Sequence, residues 1–287
     1  MLATLRSLFK HRRLVRNFVM RDLRARYVGS TMGFFWSVIF PIVNLFVFMF
    51  VFRLLLNTRF GADMGPKQTA IFMLAGILVW SAFAETLSRA TNCLVENANL
   101  VQKVVFPSEI LPVNLALSSV VNMLIGLPIV LIGNWVVKET DAVLAHSNLL
   151  AWSMICIPLL LLLQVTFTVG LGYLLAAFNA LWRDTYHLVG VGVQVWMFCT
   201  PIFYPKEFVL NAKVPKTDFQ EDGFYTFGWL LEVNPMHWLI ESWRRVLLKG
   251  QWPEWQLLLR FGAVAVVVFA VGSTFFNRQK RTFPDLL

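Results

Sequence analysis

Six stretches of this 287-residue chain are apolar for long enough to cross a hydrocarbon core, and no other feature limits its fold as strongly. A helix needs about 20 mostly apolar residues to span a bilayer. The stretches run from Phe34 to Leu56, Thr69 to Leu87, Ile110 to Val137, Leu149 to Phe178, Leu188 to Phe203 and Leu257 to Phe276. The second carries Glu85 near one end, the sixth has Arg260 near its start, and the fifth is short unless it begins at Thr185 or earlier. Backbone groups in lipid must be bonded within the protein, and helices do this segment by segment. The expectation is therefore an all-α integral membrane protein with six transmembrane helices. Composition agrees, since 14% of residues are charged where soluble domains carry about 25%.

An even number of crossings puts both termini on one side. Of the 25 Lys and Arg, fourteen fall on that side and nine on the other. Six of the nine lie between Tyr204 and Glu254, in a loop too long to direct orientation, because the positive-inside bias acts through short loops. The termini are expected to be cytoplasmic. The start, "MLATLRSLFKHRRLVRNFVM", lacks the apolar core and small-residue cleavage site of a signal peptide, so it should stay where it was made. The net charge of +9 then reflects orientation and contact with anionic headgroups, not nucleic acid.

The chain reads as one transmembrane domain, 1–287. Residues 1–33 form a cytoplasmic interfacial helix, 34–203 the first five spans, 204–256 an external loop, and 257–287 the last span and tail. In the first segment Leu14, Val15, Phe18, Val19 and Leu23 recur at helical spacing, with Arg12, Arg13, Arg21 and Arg24 mostly elsewhere around the axis. Arg16 falls near the apolar side. Such a stripe predicts an amphipathic helix lying on the cytoplasmic leaflet, and its arginines resist translocation.

Motifs for chemistry are missing. The sequence has no GxxxxGK[ST], HExxH or GxSxG, and its histidines (His11, His146, His187, His237) are scattered. Cys93, Cys156 and Cys199 make no CxxC pair. Loop carboxylates such as Glu139 and Asp141 read as solvated. No catalytic residue, metal site or cofactor on this chain is expected.

Three further segments stand out. In Ser88 to Pro112, Leu94, Ala98, Val101 and Val105 share a helical face while Glu96, Asn99, Gln102 and Lys103 are polar, and Pro107 ends the element. It reads as a short cytoplasmic helix, on the lipid surface or docked on a soluble partner. In "NPMHWLIESWRRVLLKG", Asn234-Pro235 breaks the chain before Trp238, Leu239, Trp243, Val246 and Leu247 at helical spacing. That run is too short to span and predicts a re-entrant or interfacial helix. The first spans are rich in aromatics, including Phe34, Trp36, Phe40, Phe72 and Trp80, which could line a conduit for sugar rings.

"RDLRARYVGSTMGFFWSVIFPI", "NLVQKVVFPSEILP" and "NPMHWLIESWRRVLL" together resemble the permeases of polysaccharide-exporting ABC transporters, which serve O-antigen, capsule and teichoic acid. The likeness runs nearly end to end. It implies a homodimeric permease in the bacterial inner membrane, worked by two copies of a separate ATPase that carries ATP and Mg. It implies that Glu96, Asn97, Asn99 and Lys103 lie at a coupling helix docked on that ATPase. Arg21, Arg24, Arg26 and Tyr27 would flank a cytoplasmic entrance for a lipid-linked glycan, where guanidinium groups suit a diphosphate. Asn234, Pro235, Trp238 and Trp243 would form an external gate. Two other readings are an exporter of a small molecule or lipid, and an intramembrane glycosyl- or phosphotransferase, which would need carboxylates or histidine beside a metal.

Overall fold

The computed structural model describes residues 1–26, 28, 33–51, 65–103, 106–140, 151–211, 213–215 and 224–286. Thirteen α-helices are described: α1 Leu2–Lys10, α2 Arg12–Ala25, α3 Trp36–Met49, α4 Pro66–Glu96, α5 Ala98–Lys103, α6 Ile110–Thr140, α7 Ile157–Leu181, α8 Thr185–Cys199, α9 Lys206–Asn211, α10 Gly228–Val233, α11 Pro235–Arg244, α12 Trp255–Gln279 and α13 Phe283–Leu286. Strands β1 (Lys213–Pro215) and β2 (Phe224–Thr226) make a three-pair antiparallel ladder in the long loop, which the sequence reading missed.

Four helical segments are long and apolar enough to cross a membrane: Lys67–Glu96, Ile110–Val136, Trp152–Leu181 and Trp255–Gln279. Helix α3 is apolar but shorter; the rest of the first expected span lies largely outside the described residues. Helix α4 runs to Glu96, nine residues past the expected end at Leu87, so Ser88 to Glu96 extends the long helix instead of starting a surface one. Helix α8 ends at Cys199, short of the expected Phe203, because Pro201 disfavours helix at the residue before it. Its 15 residues rise about 22 Å.

Local chemistry sets the starts. Pro66 opens α4 at a position where its missing N–H costs nothing, and the Gly65 N–H is taken by Gln68 Oε1 at 3.2 Å. Asn234 caps α11, with Pro235 next. Helix α4 is central, packed by α3, α6, α7, α8 and α11. Helices α7 and α12 approach most closely at two glycines. A Cβ on Gly170 would lie 2.6 Å from the Phe269 nitrogen, and one on Gly272 would strike the Gly170 carbonyl. Small residues serve such contacts between membrane helices.

The core has two parts. One joins α4, α7, α11 and α12 around Trp80, Phe83, Phe167, Trp243 and Phe261. The other lies at the end carrying both termini, around Phe18, Leu94, Ile110, Tyr173, Phe276 and Phe283. Asn277 Nδ2 donates to Thr4 Oγ1 at 2.7 Å, so the two termini meet directly.

Candidate functional site

Helix α2 turns its apolar stripe onto protein. Val15 and Phe18 are buried against the terminal core, Leu14 and Val19 are half-buried beside them, and Phe18 lies 5.5 Å from the Phe106 ring. The stripe expected to rest on lipid is therefore used within the chain. This leaves a basic exposed face. An open hollow of about 540 Å³ is lined by Arg16, Asn17, Met20, Arg21, Arg24, Ala25 and Val28, with the Arg21 guanidinium 4.2 Å over the Phe18 ring.

Arg26 differs from Arg21 and Arg24. It pairs with Asp22 at 3.3 Å and with Glu85 at 2.5 Å. Arg89 closes the group by pairing with Asp22 and, at 3.2 Å, with Glu85. Burial disfavours the Asp22 carboxylate, but the Arg89 hydrogen bond and the charges of Arg89 and Arg26 outweigh it and hold the carboxyl below its ordinary range. Two charges of each sign thus fasten α2 to α4. Asp22, Glu85 and Arg89 were not among the expected site residues. Their i,i+4 spacing with partners on the same helix was the available signal.

From Arg26 and Glu85 a groove of about 500 Å³ runs between α3, α4 and α6. Trp36, Phe40, Pro41, Leu78 and Met123 make it mainly apolar, with Asn44, Ser81 and Asn122 as polar points. Trp36 and Phe40 are exposed. The other expected aromatics lie elsewhere. Trp80 is buried, 5.3 Å from Phe83 and 6.2 Å from Trp196, and Phe72 lies under Arg244 with 3.5 Å from ring centroid to guanidinium carbon. Tyr27 and the side chain of Phe34 fall outside the described residues.

At the end of α4, Asn97 is the C-cap and its Nδ2 donates to the Cys93 carbonyl at 2.8 Å. Glu96 is exposed and accepts from Asn92 Nδ2 at 3.0 Å. Asn99 is exposed on α5. Leu94 is buried in the terminal core, with Leu100 and Val101 packed on it. Lys103 ends α5; its side chain, and Val105, lie outside the described residues. Just beyond, the buried Glu109 accepts from Ser7 Oγ at 2.5 Å and pairs with Lys280. The Glu109 carbonyl accepts from Tyr173 Oη at 2.9 Å. Burial opposes its charge, but Lys280 and Ser7 hold the carboxyl below its usual range. Glu109 was also missed, since its partners lie near the two ends of the sequence.

At the opposite end of the bundle, Asn234 Oδ1 accepts from the Met236 and His237 N–H groups at 3.0 and 3.4 Å and from Trp196 Nε1 at 2.9 Å. Trp238 and Trp243 are buried, so α11 enters the core instead of lying in an interfacial belt. Among the described residues no group of three His, Cys, Asp or Glu could hold a metal ion.

Residues 13–248 match the model of the ABC-2 type transporter family. The chain is 27% identical over 285 residues to a Myxococcus xanthus protein named O-antigen export system permease protein RfbA, covering 99% of each. Two Klebsiella pneumoniae proteins of the same name are 27% and 24% identical over 93% of this chain and 92% of their own.

Proposed function

The chain belongs to the ABC-2 type transporter family, and we propose on that premise that it is the permease subunit of a polysaccharide exporter. Its cargo is a lipid-linked glycan of the O-antigen kind, moved outward across the bacterial inner membrane. The observation that carries this reading is similarity to a protein named as an O-antigen export permease over 99% of both chains.

In this proposal α3 and α8 complete six crossings with the four long helices, and both termini are cytoplasmic, as the distribution of Lys and Arg favours. No residue of α8 is buried, while Leu188, Val191, Val195 and Phe198 are exposed. A second copy of the chain is the partner for that face. ATP and Mg belong to two copies of a separate ATPase, which dock at the end of α4 and on α5, the segment that carries Glu96, Asn97, Asn99 and Lys103. The basic hollow on α2 receives the anionic headgroup through Arg21 and Arg24; Tyr27, assigned the same role from sequence, lies outside the described residues. Arg26 is committed to Asp22 and Glu85 and serves as the fastening at the entrance. The groove beyond it, lined by Trp36 and Phe40, leads toward the path between copies. Asn234, Pro235, Trp238 and Trp243 position the external gate. A groove of about 500 Å³ also suits a small-molecule or lipid cargo.

The test is reconstitution of the chain with its ATPase in vesicles. ATP-dependent transfer of a polyprenyl-diphosphate-linked glycan supports the reading. Transfer of free lipid or drug without glycan replaces it with the alternative. Charge reversal of Arg21 and Arg24 should lower glycan transfer about tenfold or more, the scale of losing hydrogen bonds to a charged group, with the amount of inserted chain unchanged. Parent-level transfer would remove the headgroup role.

A further inference from the structure

Arg244, the last residue of α11, is 2% exposed and binds its surroundings through neutral groups. Its Nε donates to the Phe72 carbonyl at 3.2 Å, Nη1 to Pro201 at 2.7 Å and Nη2 to Ile202 at 3.0 Å. The carboxylate one turn earlier, Glu241, faces Lys249 at 3.7 Å. A cation held in an apolar core by three carbonyls and the face of Phe72, with no carboxylate bonded to it, costs more than an apolar side chain of similar length would. Packing therefore does not account for it.

The three carbonyls come from two elements. Pro201 and Ile202 lie just past Thr200, the C-cap of α8, at the end where the helix dipole favours a cation. Phe72 belongs to α4. From the other end of α11, Asn234 Nδ2 donates to Thr200 Oγ1 at 2.9 Å and to the Cys199 carbonyl at 3.3 Å. Residues 199–202 are thus held from both ends of α11. The room for the guanidinium comes from Gly76, one turn beyond Phe72, where a Cβ would lie 2.6 Å from Nη2. Elsewhere on α8, Trp196 packs 5.3 Å from Phe83, but the glycine side is open. A Cβ at Gly190 or Gly192 would meet nothing within 4 Å.

We propose that Arg244 is a positioning residue that fastens the end of α8 farthest from the termini to α4 and α11, so that these three move as one body during transport. Displacement of α8 is then confined to the part of the helix that precedes Cys199. The functional consequence rests on the proposed export role, whereas the fastening is a property of the chain itself.

The native thiols test it in membrane vesicles. Maleimide alkylation of Cys199, at the fastened end, is compared with that of Cys156, at the start of α7, within the same chain. Arg244→Met should raise the Cys199-to-Cys156 rate ratio about tenfold, the scale of losing hydrogen bonds to a charged donor. Arg244→Lys should give a smaller rise. A general loosening would speed both thiols and leave the ratio unchanged, which overturns the proposal. Gly76→Ala, which removes no polar group, should raise the ratio in the parent chain and add nothing in the Arg244→Met background. Additive effects would overturn the pairing of the two residues. Glycan export should fall with the ratio across the series. Parent-level export with a raised ratio would overturn the role in transport, while a raised ratio in a chain whose parent form exports no glycan would sink the export reading and leave the fastening intact.

Discussion

Glu109 and Asp22 do similar work by the same physics. Each is a half-buried or buried carboxylate whose cost of burial is outweighed by cations brought from distant parts of the chain, Lys280 for one and Arg89 for the other. Both carboxyls are held below their ordinary range, so their stabilisation is present above the unfolded-state values and is lost as pH falls through the folded ones. The thermal midpoint of the detergent-solubilised protein should accordingly stay level from pH 7 to about pH 4.5 and drop below that. Asp22→Asn and Glu109→Gln should each start from a lower midpoint and show a shallower acid drop; an unchanged acid limb in the double variant would exclude these carboxylates as its source. At neutral pH, Glu109→Gln should cost about 1–3 kcal/mol, the scale for an impaired buried hydrogen-bonded group, read by denaturant or heat. What the sequence showed of this network was partial. Asp22 with Arg26 and Glu85 with Arg89 stand four apart, so each pair is visible along its own helix. That the two pairs meet across 67 positions, or that Glu109 meets Lys280 across 171, is set by how the bundle closes, and no local pattern records it.

Elements were more legible than residues, for a reason specific to lipid. A crossing helix must be long and apolar whatever it packs against, so the starts of α6 and α12 are read to within two residues. The end of α8 could have been placed from Pro201 alone. What hydropathy does not distinguish is a face toward lipid from a face toward protein, because both are equally apolar. This is why the stripe on α2, with Val15 and Phe18, was assigned to the leaflet, and why α11 was left open between a re-entrant and an interfacial helix. It is also why Trp80 and Trp36, alike in sequence, occupy a core and an open groove. The glycines separate the two kinds of face experimentally. Gly272→Leu places a side chain against the Gly170 carbonyl and should cost about 1–3 kcal/mol by overpacking, seen as a lower thermal midpoint. Gly192→Ala, with open space around it, should leave the midpoint level or slightly raised. If both variants behaved alike, the close α7–α12 contact would be wrong.

At the end of the molecule where the terminal helices meet, several elements distant in sequence are joined. Helix α13 packs on α5, and Phe283 is buried 5.1 Å from Phe276 of α12. Phe106, just after α5, touches Phe18 of α2, and Glu109 ties α1 and α12 to the same point. Packed side chains thus join α5 to the terminal helices, beside the ion pair of Glu109 with Lys280. In the proposed exporter this is where a separate ATPase would deliver its work, and the exposed Glu96 and Asn99 are the side chains it would meet. The chain alone should show no ATP hydrolysis, and adding the ATPase should supply it. Reversing Glu96 to Lys together with Asn99→Lys should leave the basal hydrolysis of the mixture within about twofold, because the nucleotide sites are elsewhere, and lower glycan transfer per ATP by about tenfold, the effect of losing one or two good interface contacts. Unaltered transfer per ATP in that double variant would move the docking site away from α5. A fall in transfer accompanied by an equal fall in inserted chain would instead mean that these two residues support the fold of the terminal end.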